Sequence, residues 1–80
     1  MNMEEVTEEF KKIGISEQDA KVLADCVISR KSCSWVNNDP VDNSVLKGLN
    51  TLLNEKEYKI KVLVQAVPTR NKFIWEVKTV

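Results

Sequence analysis

The chain has no histidine, only two glycines, two prolines and two cysteines, and no apolar run approaching the roughly 20 residues of a membrane helix. Each scarcity excludes something. Without histidine, the commonest general base and the usual partner of a serine or cysteine nucleophile are missing. Gly14 and Gly48 lie too far apart for a glycine-rich phosphate loop. Two cysteines without histidine leave tetrahedral zinc short of ligands, so no metal or cofactor is expected. A single Cys26–Cys33 bridge is conceivable, but disulfide frameworks in small domains usually carry four or more cysteines, so the two are read as buried or half-buried thiols. The acidic N-terminal segment is unlike a signal peptide, which points to the cytosol, or to a host cytosol for a viral gene.

What is present is ordinary globular composition: 42% apolar and 30% charged residues in an 80-residue chain, one domain near the lower limit for a self-sufficient core. Net charge is zero but unevenly spread, at −3 over residues 1–40 and +3 over residues 41–80.

Met3, Val6, Phe10 and Ile13 recur at helical spacing, with glutamates early and lysines late as the helix dipole prefers. Gly14 supplies a left-handed stop, giving a first helix over about 3–13. Ser16 and Asp19 form a capping pair for a second helix, whose stripe is Ala20, Leu23, Ala24, Val27 and Ile28. Residues 32–36 are a candidate short strand with Cys33 and Trp35 on one side. Asp39 as cap and Pro40 as first helical residue predict a third helix over about 40–54, where Gly48 suggests close approach by another element. From Tyr58 the period becomes two, and two alternating runs flank Pro68–Asn71. A turn there pairs Val67 with Lys72, Ala66 with Phe73, Val64 with Trp75 and Val62 with Val77. The expected fold is α+β, with three helices followed by a C-terminal antiparallel β-hairpin packed across them and the 32–36 segment as a candidate third strand.

The same register sends Lys59, Lys61, Leu63, Val67, Ile74 and Lys78 to the outer side, apolar at its centre and basic at its rim, as protein interfaces are. This face or its free edge is the expected site for a protein partner or for a second copy of the chain. The function expected is therefore a non-catalytic binding module, such as an adaptor or a phage- or virus-encoded inhibitor. The alternative is a winged-helix-like DNA- or RNA-binding protein, using Asn43, Lys47 and Asn50 on the third helix with Arg70 and Lys72 at the hairpin tip. Two stretches carry family likenesses. SVLKGLNTLLNEKEYKIKVLVQAV resembles the helix-into-strand part of Tctex-type dynein light chains, and EEFKKIGISEQDAKVLADCVIS resembles the opening helices of histone-like bacterial proteins. Neither covers as much as a third of the chain, and neither assigns a role to any residue.

Overall fold

A computed structural model describes residues 2–80. Its order is α1 (Met3–Lys12), α2 (Glu17–Ser29), β1 (Cys33–Asn37), α3 (Asn43–Glu55), β2 (Ile60–Val67) and β3 (Lys72–Thr79). This corrects the expected fold class. The C-terminal hairpin is not a two-stranded unit laid over three successive helices. It is two thirds of an antiparallel sheet ordered β1-β3-β2, whose third strand comes between α2 and α3. The physical reason lies in β1 itself. Its alternating side chains put Cys33 and Trp35 on the inner side, directly opposite Val77 and Trp75 of β3, so the strand completes the buried surface that two strands leave open. One consequence bears on the winged-helix alternative: the segment between α2 and α3 contains a strand, so these helices are not joined by the tight turn of a helix-turn-helix.

The β2–β3 register is the one the alternation implies, with Val62 opposite Val77, Val64 opposite Trp75, Ala66 opposite Phe73 and Val67 opposite Lys72. Inward residues Ile60, Val62, Trp75 and Val77 join Val6, Phe10, Leu23, Val27, Leu49 and Leu53 in one core. Ile28, assigned to the apolar stripe of α2, is instead 40% exposed, and Cys26 takes a buried place on that helix.

Two turns set the helix positions. Asn2 caps α1 by accepting from the Glu5 N–H, and Ser16 caps α2 by accepting from the Asp19 N–H. Helix α3 starts later than proline placement suggests. Asn37 accepts from the Asp39 N–H in a local turn, which leaves Pro40 and Val41 in the loop and puts Asp42, not Asp39, at the N-cap position, where its side chain makes no capping bond. The close approach expected at Gly48 occurs at Gly14. A Cβ on Gly14 would lie 3.1 Å from Val45 Cγ2, and its φ of +104° belongs to the region that favours glycine. A Cβ on Gly48 would meet Ile13 at 3.9 Å, an ordinary van der Waals distance.

The polar centre of the fold is Asp19, only 2% exposed. Its carboxylate accepts from the Trp35 indole N–H at 2.9 Å, from the Asn37 amide and from the Ser16 hydroxyl. Trp35 stacks on fully buried Trp75, with centroids 5.2 Å apart and planes 11° from parallel. The Trp75 indole N–H has no partner among the described residues, a cost of about 1–3 kcal/mol that burial of the whole ring offsets.

Cys26 and Cys33 are joined in a disulfide, which corrects the expectation of free thiols. Residues seven apart are brought together because α2 ends at Arg30 in a left-handed cap and the chain turns straight into β1.

Two predictions test this account. Asp19→Ala strands the Trp35 and Asn37 donors and should lower unfolding free energy by about 3 kcal/mol in urea denaturation; a loss under about 1 kcal/mol would mean the network is not the tie described here. Replacing both cysteines by alanine opens a short loop and should cost about 2.5 kcal/mol, read as a lower urea midpoint in the double variant.

Candidate interaction surface

The strands divide their side chains between two environments. Inner residues enter the core, while the outer rows run Ser34–Glu76–Leu63 and Val36–Ile74–Gln65 across the three strands. On that outer side Val36 is 55% and Leu63 48% exposed, with half-buried Ile74 diagonal to Leu63 and directly opposite Val36. These three form an apolar patch that no helix covers. Sequence reasoning missed Val36, because β1 was only a candidate strand and its pairing partner was not assigned. Had the strand been paired with β3, the alternation that buries Cys33 and Trp35 would have sent Val36 outward.

The residues expected at this face are placed as follows. Lys61, Leu63 and Lys78 are exposed on the outer side, and Ile74 and Val67 are half-buried there, Val67 at the hairpin tip. Lys61 lies directly opposite Lys78. Lys78 also reaches Glu76, two positions back on the same strand, at 3.3 Å. Lys59 is exposed and precedes β2, with a left-handed backbone (φ 58°) whose carbonyl accepts from the Val80 N–H.

The alternative set is scattered. Asn43, Lys47 and Asn50 are exposed on α3, and Arg70 and Lys72 are exposed at the turn between β2 and β3. Lys47 is the only base on α3, and the β1 segment separates that helix from α2. Neither feature builds the continuous basic track that phosphate binding requires.

Two clefts complete the candidates. One, of about 230 Å³, lies between the end of α2 and the start of β2, floored by Val27 and Ile60 with Arg30, Glu57 and Lys59 around it. Those three residues all have left-handed backbones. The other, of about 170 Å³, lies beside Gly14, Asp19, Asp42 and Trp75, but the Asp19 carboxylate there is already engaged by Ser16, Trp35 and Asn37. Among the described residues no three histidine, cysteine or acidic side chains gather to hold a metal ion, and no helix is long and apolar enough to cross a membrane.

One side chain near the first cleft has a strongly altered acidity. Partial burial, then a hydrogen bond to Glu9, pushes the Tyr58 hydroxyl up from near 10 to about 12. It donates to the Glu9 carboxylate at 3.1 Å, and its ring meets Phe10 edge-on. The contact ties the start of β2 to α1.

No family model matches the chain, and no curated protein or solved structure matches it either. The partial likenesses to dynein light chains and histone-like proteins therefore have no support from whole-chain comparison.

Tyr58 generates a pH prediction. Its folded pKa is the higher one, so the unfolded chain loses its proton first, and stability should fall as pH rises from about 10 to about 12. Tyr58→Phe should remove that component of the decline, measured as unfolding free energy against pH. An identical alkaline decline in the variant would show that other groups cause it.

Proposed function

We propose that this chain is a non-catalytic protein-binding module whose contact surface is the outer side of the sheet, centred on Leu63, Ile74 and Val36. The observation that carries the reading is an uncovered apolar patch on a three-stranded sheet, with Lys61 and Lys78 side by side at one end and Glu76 opposite Leu63. Monomeric surfaces scatter single apolar residues freely, but three neighbours across three strands with charged residues beside them have the anatomy of an interface. Lys78 is paired with Glu76, so Lys61 is the charge that favours an acidic group on the partner beside an apolar centre. The adaptor and inhibitor roles both fit such a surface.

The Cys26–Cys33 bridge bears on where the module works. In a cytosol the glutathione pool would tend to reduce it, so a role that needs the bridge intact favours oxidising surroundings over the cytosolic placement expected from sequence.

The test is affinity capture from the native source with the wild-type chain, Leu63→Glu and Lys47→Glu, each checked for an unchanged melting transition. Leu63→Glu should reduce capture at least about tenfold, the loss expected when a charge enters an apolar contact centre. Lys47→Glu should leave it unchanged. The opposite pattern, with capture sensitive to salt and to nuclease, would overturn the reading in favour of nucleic acid.

A further inference from the structure

The cleft between the end of α2 and the start of β2 gathers most of the costly backbone in the chain. Among the described residues, four other than glycine have left-handed φ: Arg30 (53°), Glu57 (54°), Lys59 (58°) and Asn71 (55°). Asn71 lies in the turn between β2 and β3, where asparagine is a preferred residue. The other three all line this one cleft. Arg30 and Glu57 follow the ends of α2 and α3, where helices usually place glycine, which takes such a φ without strain. Three charged side chains thus stand where the backbone alone selects glycine. None makes an ion pair with another described residue. Complementing a helix dipole accounts for Arg30 at the end of α2, but Glu57 at the end of α3 has the wrong sign for it.

Two cations, one anion and the apolar floor of Val27 and Ile60 define a ligand by its chemistry. We propose that the cleft binds a free α-amino acid with an apolar side chain. Arg30 and Lys59 hold its carboxylate, Glu57 holds its ammonium, and its side chain lies on Val27 and Ile60. A simple anion is repelled by Glu57, and a simple cation meets two like charges; a zwitterion satisfies all three. The volume agrees: about 230 Å³ is below the roughly 300–1,000 Å³ of pockets for drug-sized ligands and suits a single amino acid. The walls are fixed in advance, because Tyr58 is tied to Glu9 and the Lys59 carbonyl accepts from the Val80 N–H. Strained backbone of this kind is retained where the side chains it carries are used.

The experiment titrates the isotope-labelled full chain with L-leucine, L-valine and L-phenylalanine and follows its amide resonances. At least one should give saturable shifts at Val27, Arg30, Lys59 and Ile60. That amino acid should bind at least about tenfold tighter than its amide, which lacks the carboxylate, or its deaminated acid, which lacks the ammonium. Arg30→Gly and Lys59→Gly should each weaken binding about tenfold yet melt no lower than wild type, because glycine relieves the left-handed backbone. Glu57→Gln should erase the preference for the amino acid over its deaminated acid. No saturable shift with any of the three, or a deaminated acid bound as tightly by wild type, would overturn the proposal. So would glycine variants that melt lower and bind unchanged, since the charges would then serve the fold. None of these outcomes bears on the outer side of the sheet, whose test is partner capture with Leu63→Glu.

Discussion

A carboxylate taken out of water is among the most expensive groups to bury, and Asp19 is tolerable only because three donors converge on it. Those donors come from two places: the turn before α2 supplies Ser16, and β1 supplies Trp35 and Asn37. The carboxylate thus welds the first turn of α2 to the inner side of β1. Once Trp35 is held by its indole N–H, its ring lies flat on Trp75, and that stack fixes β1 against β3. The Cys26–Cys33 bridge ties the other end of the same helix to the other end of the same strand. With α2 and β1 joined at both ends, β1 is held where one of its edges pairs with β3.

This arrangement explains why the outer side of the sheet is bare. Every strong tie runs inward: the tryptophan stack, the disulfide, and the Tyr58 hydrogen bond to Glu9 that draws the start of β2 toward α1. The outer side keeps Val36, Leu63 and half-buried Ile74, over which no described helix packs. Apolar side chains left uncovered on a well-anchored sheet contribute nothing to the monomer, so their contribution is sought in a contact.

The period-two runs from Ile60 to Val67 and from Lys72 to Thr79 were legible in the sequence, register included, because one-sided burial makes every slip place charge in the core. The capping of α2 was legible from Ser16 and Asp19, yet the larger role of Asp19 was not. A cap residue reads from local spacing, whereas Trp35 and Asn37 lie sixteen and eighteen positions away and only pairing brings them near. The sheet order failed for the same reason. Five residues, Cys33–Asn37, are too few for a strong alternation signal, and their membership depends on a partner more than thirty positions later. Most of the candidate face could be read from the hairpin alone. Val36 could not, because it belongs to the strand whose pairing was hidden, and the left-handed backbone of Lys59 leaves no mark on a lysine in the sequence.

Open sheet edges invite indefinite growth, and proteins commonly block them with charge, proline or brevity. The two edges here are unequal in this respect. Strand β1 spans five residues and runs into the Asn37–Asp39 turn and Pro40, so it offers little length for pairing. Strand β2 offers eight, with Lys61 as its one charge. Lysine on an exposed edge discourages strand-to-strand growth, so Lys61 guards β2 as brevity and Pro40 guard β1.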